Sequence, residues 1–173
     1  MEPGVNARID EALKTLASRG AEIDTSLSLP STEHALAVYY IIAPSEASAN
    51  LARYDGVKYG FSDRSAPTMW DNMEQTRAQG FGNEVKRRIM LGTYALSAGY
   101  YDAFYLKAQK VRTVINNEFA AAFAKYDVIV TPTSPPAAFP IGAKVDDPYA
   151  QYLNDVYTLP ASVAALPSTR SPS

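Results

Sequence analysis

The sequence predicts an α/β fold that is rich in helix and incomplete on its own. Helical periodicities are long and clearly outnumber strand-like runs. Only two short stretches, 21–29 and the apolar run 128–130, read as strands, fewer than a self-contained doubly wound domain needs. Several helices carry wide apolar faces with little sheet to cover them.

The first helix is expected over 6–19. Ile9, Leu13 and Leu16 fall at i, i+4 and i+7, and Gly20 stands where a C-terminal cap belongs. The run 21–29 follows as a strand, stopped by Pro30. Residues 31–52 read as a second helix that Pro44 kinks or divides, because proline removes a backbone donor there. Tyr54-Asp55-Gly56 is a turn signal, and 56–67 reads as irregular exposed chain. A short helix over 68–79 ends at Gly80 and Gly82, and Asn83 caps the next one, which runs to about Tyr94. The strongest helix is expected over 100–125, where Phe104, Ala108, Val111, Ile115, Phe119 and Phe123 make one stripe. Val128-Ile129-Val130 then reads as a buried strand of a parallel or mixed sheet, bounded by Asp127 and Pro132. A proline-rich loop leads to a helix opened by Pro148 and reaching about Tyr157, and Pro160 opens a last short helix. Residues 1–167 read as part of one domain and 168–173 as a polar, disordered tail.

With 173 residues, 47% hydrophobic and 20% charged, the chain has globular composition and enough length for a sizeable core. A formal net charge of -2 gives it no general attraction for nucleic acid. It has no cysteine, which removes disulfides, thiolate nucleophiles and Cys-ligated zinc, and fits a reducing compartment. Its one histidine, His34, cannot build a multi-histidine metal site and reads as a surface or packing residue. The polar start, 1–11, has no signal-peptide character, and no window approaches the roughly 18 apolar residues of a membrane span. The expected location is cytoplasmic.

The nucleophile motifs are missing: there is no G-x-S-x-G elbow, no S-x-x-K and no Ser-His-Asp set. Gly80-Phe81-Gly82 follows a helix and reads as a cap and turn rather than a phosphate cradle. Three polar residues instead lie on faces that otherwise read apolar. Arg88 shares a helix face with Val85, Ile89 and Gly92, so it is paired internally, snorkels, or binds an anion. Arg87 and Lys86 point elsewhere, toward solvent. Asp155 clusters with Tyr149, Tyr152 and Val156, where it bonds a tyrosine or a helix N-terminus, or accepts from an ammonium group. Tyr39 shares a face with Leu36 and Ala43, as a core residue with a satisfied hydroxyl or as a group lining a site. Brought together, an arginine, an aspartate and a tyrosine would grip a free amino acid at both charged ends, but the pattern does not show that they meet.

Four stretches carry a family resemblance: AVYYIIAPSEASANLARYDGVKYG (37–60), TRAQGFGNEVKRRIMLGTYALSAGYYDAFYLKAQKVRT (76–113), KYDVIVTPTSP (125–135) and DDPYAQYLNDVYTLP (146–160). They resemble the A subunits of the glutamyl-tRNA(Gln)/aspartyl-tRNA(Asn) amidotransferases, a branch of the amidase signature family, over about 6–167. The resemblance implies the helix-rich C-terminal portion of an amidase-signature fold, a mixed sheet covered by helices. It implies glutamine hydrolysis by a Ser-cis-Ser-Lys triad through a glutamyl-enzyme. The ammonia would pass to a B subunit that uses ATP and Mg²⁺ to amidate misacylated tRNA, with a small C subunit holding the pair together. It places the substrate carboxylate on Arg88, the substrate amino group on Asp155, and Tyr39 along the site.

The departures from the family pattern matter as much. The triad belongs to a glycine- and serine-rich region upstream of the matching stretches, so this chain is expected to hold glutamine-recognition residues without a nucleophile. Ser162 replaces the usual asparagine, Ala165 the usual glycine, and a polar run follows Pro167. The expectation is an interrupted or truncated reading frame, inactive by itself and prone to associate through uncovered apolar faces. The alternatives are a non-catalytic module that binds glutamine or docks on a partner, and a half-enzyme that pairs with a separately encoded N-terminal half.

Overall fold

A computed structural model of the chain describes residues 1–141 and 152–169. Six α-helices lie among them: α1 (Pro3–Ser18), α2 (Ala35–Asn50), α3 (Met69–Gly80), α4 (Asn83–Leu96), α5 (Lys107–Phe123) and α6 (Leu159–Val163). The chain divides into two compact units, Met1–Val38 with Val111–Ser173, and Tyr39–Lys110. No helix among the described residues is long and apolar enough to cross a membrane.

In the first unit, α1 starts three residues earlier than its periodicity suggests because Pro3 suits the first helical turn. It ends as expected. Gly20 takes φ +96, and Ala21 N–H reaches back to the Leu16 carbonyl at 3.1 Å. No α1 residue is buried. The unit's core is formed by Ala35, Val38, Ile115, Phe119, Ala122, Leu159, Val163 and Ala164. Polar bonds fasten its parts: Ser31 donates from N and Oγ to Glu118, and Arg112 Nε donates to the Val163 carbonyl at 2.8 Å. α6 ends on Ala165, a non-glycine residue at φ +54, with Leu166 N–H bonded to the Ala161 carbonyl at 3.0 Å.

The two expected strands are not formed. Residues 21–29 and 128–130 have no regular structure, and no strand occurs among the described residues. The physical reason is the lack of a ladder partner: residues 22–28 and 127–134 make no backbone-to-backbone hydrogen bond among the described residues. Asp24 also takes the Ser26 amide and hydroxyl at 2.7 and 2.6 Å, a local turn that competes with pairing. The mixed sheet expected from the resemblance is therefore not seen in these residues. Of the expected helix opened by Pro148, 148–151 lie outside the described residues; 152 and 153 are helical and 154–158 form a turn, so the helix does not reach Tyr157, and the end of the expected tail also lies outside the described residues.

In the second unit, α2 continues through Pro44 instead of breaking there, and a 3₁₀ turn (Leu51–Arg53) comes after it. Thr68 caps α3, accepting from Asp71 N–H. The Tyr54-Asp55-Gly56 turn forms with Val57 N–H on the Asp55 carboxylate at 2.9 Å. Gly56 has φ +85, and a β-carbon there would stand 2.7 Å from Thr76 Oγ1, so glycine is required. Arg77 clamps this turn to α3 by donating to the carbonyls of Leu51 and Tyr54 at 2.9 and 3.1 Å.

Gly82, not Asn83, occupies the cap position of α4. The last long helix differs from expectation at its start. Asp102–Leu106 is a turn of π-helix, with Leu106 N–H bonded to the Tyr101 carbonyl at 2.9 Å, and α5 begins only at Lys107. The extra residue in this turn shifts the face presented on either side of it. Phe104 thus drops out of the expected stripe and is exposed, while Ala108, Ile115 and Phe119 stay buried and Ala122 takes the place expected of Phe123.

Candidate functional site

The site is set by the approach of α2 and α4 within the second unit. Gly92 lies against the backbone of Pro44, and both are buried. A β-carbon on Gly92 would fall 1.9 Å from the Pro44 carbonyl oxygen and 2.8 Å from the Ser45 nitrogen. Such closeness exists because glycine has no side chain and the helix runs on through Pro44. Ser45 is 1% exposed and satisfies its hydroxyl on the Ile41 carbonyl at 2.7 Å.

One turn back along α4 stands Arg88, and one turn back along α2 stands the Tyr39-Tyr40 pair. Arg88 Cζ lies 5.7 Å from the centre of the Tyr40 ring, which meets the Tyr39 ring edge-on at 5.1 Å. Arg88 Nε donates to Glu84 Oε1 at 2.8 Å, one turn earlier on the same helix. Arg87 donates from Nε and Nη2 to the other oxygen of Glu84 at 2.9 and 2.6 Å. These bonds set the electrostatics. The hydrogen bond from Arg88, aided by Arg87, lowers the Glu84 carboxyl below its ordinary value. Arg88 is held above its own ordinary value, first by Glu84, against the cost of burial, and further by a hydrogen bond with Tyr39.

The arrangement is suited to anion binding. A guanidinium fixed through Nε keeps its two terminal nitrogens in one plane, the geometry that takes a carboxylate by two parallel bonds. Apart from Glu84, no carboxylate among the described residues pairs with Arg88, whose side chain is 32% exposed. The fixed, partly open guanidinium is accessible without being fully solvated.

The structure thus brings Tyr39 and Arg88 together and does not leave Arg88 as a lone buried charge. The internal pair anticipated as one alternative exists, with Glu84. Arg87 is exposed, as expected, and also joins the same ion cluster through Glu84. Glu84 escapes a search for polar residues on apolar faces because it is exposed; its i, i+4 spacing from Arg88 is the signal that finds it. Asp155 belongs to the other unit. It is exposed in the turn entering α6, and its carbonyl accepts from Thr158 and Leu159 N–H at 3.0 and 2.9 Å. Its expected neighbour Tyr149 lies outside the described residues. His34 is exposed beside Glu33, at 3.4 Å.

The chain belongs to the amidase family, whose sequence model matches residues 1–173. Within it, the chain is similar to the A subunit of glutamyl-tRNA(Gln) amidotransferase. It is 59% identical over 172 residues to the protein of that name from Dehalococcoides mccartyi strain CBDB1, covering 99% of this chain and 35% of that protein. The Chloroflexus aggregans protein of the same name is 59% identical over 97% of this chain, and that of Heliobacterium modesticaldum 58% over 96%, each with 34% of its own length covered. The chain spans about a third of the length of these relatives.

Proposed function

We propose that this chain carries a glutamine-recognising part of the ammonia-supplying subunit of a tRNA-dependent amidotransferase. The observation that supports this most directly is the Arg88 guanidinium, fixed by Glu84 beside Tyr39 and Tyr40 with its outer edge facing no other carboxylate among the described residues. In this reading Arg88 takes the glutamine carboxylate and Tyr39 lines the bound side chain. Relatives named as the A subunit of glutamyl-tRNA(Gln) amidotransferase support a part in amide transfer to glutamyl-tRNA(Gln). The chain's own residues bind and orient; the nucleophile, its base and the oxyanion donors are supplied by sequence outside it. The reaction partners are a misacylated tRNA, a B subunit working with ATP and Mg²⁺, and a small C subunit, in the cytoplasm.

An ammonia-release assay tests the division of labour. The purified chain releases no ammonia from glutamine above blank, while a full-length A subunit from a relative does. Release that tracks this chain through purification would overturn it.

A second reading, a module that docks on a partner without catalysis, draws on the second unit's exposed apolar side chains. Trp70, Met69 and Met90 are 70%, 69% and 73% exposed.

A further inference from the structure

Glu84, in the first turn of α4, holds two arginines with its two carboxylate oxygens. Oε1 takes Arg88 Nε at 2.8 Å, and Oε2 takes Arg87 Nε and Nη2 at 2.9 and 2.6 Å. The three side chains stand at i, i+3 and i+4, so the helix itself sets their spacing. A carboxylate bonded at both oxygens keeps its plane, and so does the guanidinium it holds. From α2 the Tyr40 ring lies 5.7 Å from Arg88 Cζ.

A guanidinium can meet a carboxylate with two parallel bonds along the edge that contains Nε or along the edge formed by its two terminal nitrogens. Glu84 occupies Nε and closes the first edge to a ligand. A ligand carboxylate must then come to the terminal edge, on a guanidinium that Tyr39 also bonds.

We propose that Glu84 is a positioning residue for carboxylate recognition: it touches no ligand, but by holding Nε it makes the terminal edge of Arg88 the binding edge, with Arg87 bracing it from the other oxygen. The inference rests on the glutamine reading of Arg88.

Charge and position predict opposite effects for Glu84. As a charge it offsets the positive field of Arg88, so its removal strengthens anion binding. As a positioning group it spares the ligand the cost of ordering a long side chain, so its removal weakens binding. The three side chains are 32%, 43% and 50% exposed, so water screens the lost charge and position wins.

The test is calorimetric titration of the purified full chain with glutamine, beside Glu84→Ala, Glu84→Gln and Arg87→Ala, with circular dichroism matched across the four. Glu84→Ala is expected to weaken binding about tenfold, within the scale of a misplaced binding group. Glu84→Gln recovers most of the loss, because its amide oxygen still accepts from Nε. Arg87→Ala removes an ion pair from the same turn without vacating Nε, and costs less than Glu84→Ala. Nitrogen-15 spectra of the arginine side chains, taken without ligand, are expected to show a slowly exchanging Arg88 Nε–H in the wild type and a fast one in Glu84→Ala. Glutamine binding by Glu84→Ala that is as tight as the wild type's, or tighter, would overturn the proposal and leave the glutamine reading intact. So would a fast-exchanging Arg88 Nε–H in the wild type. No heat from a wild type whose Nε–H is slow would instead sink the glutamine reading, and the proposal with it.

Discussion

Gly92 of α4 and Pro44 of α2 meet backbone to backbone, so closely that a β-carbon on Gly92 would stand 1.9 Å from the Pro44 carbonyl oxygen. The contact brings Arg88 beside the Tyr39-Tyr40 pair. Gly92→Ala sets two effects against each other. Alanine favours an isolated helix over glycine by about 1 kcal/mol. The clash is with backbone, which cannot swing aside, and overpacking of this kind costs about 1–3 kcal/mol or more. The clash wins: Gly92→Ala lowers stability by about 2 kcal/mol, read as a lower urea midpoint with unchanged slope.

Ala165 gives the opposite sign. It closes α6 at φ +54, in the left-handed region that costs an L-residue about 1–2 kcal/mol. Glycine there loses about 0.4–1 kcal/mol to a freer unfolded chain. Ala165→Gly is therefore stabilising by about 0.5–1 kcal/mol in the same urea experiment.

Asp24 gives a pH prediction. Its carboxyl is lowered from 3.8 to about 2, first by the Ser26 hydroxyl, then by the Tyr126 hydroxyl and the Ser26 amide. A carboxyl whose folded value is depressed contributes stability that is present above its unfolded value and lost as pH falls through the folded one. The window here is from 3.8 down to about 2. Carbon-detected titration of the side chain should place the midpoint near the lower end. Ser26→Ala raises it more than Tyr126→Phe does.

Much of this architecture is legible in the sequence because it is local. The α1 helix, its Gly20 cap, the Asp55-Gly56 turn and the bounds of α3 and α4 follow from side-chain period and capping chemistry within a few residues. The strand expectations failed because a strand is a relation between segments: an apolar run such as 128–130 shows its capacity to pair but not whether a partner is present. The π-turn at Asp102–Leu106 has no period of its own and moved Phe104 out of line. At the site, Arg88 and Tyr39 stand out as polar groups on apolar faces. Their meeting depends on Gly92, whose role shows only when a second helix lies against it.

If Arg88 presents a binding edge for the carboxylate of glutamine, calorimetric titration of the purified chain with glutamine shows it most directly. Saturable heat is expected from the wild type. Arg88→Ala should weaken binding by about 10- to 150-fold, the equivalent of a charged hydrogen bond worth about 1.5–3 kcal/mol. Arg88→Lys falls between, since it keeps the charge and loses the planar fork. Circular dichroism must match across the three proteins. Saturable heat that survives unchanged in Arg88→Ala, or no heat from the folded wild type at millimolar glutamine, would contradict a carboxylate-binding role for Arg88.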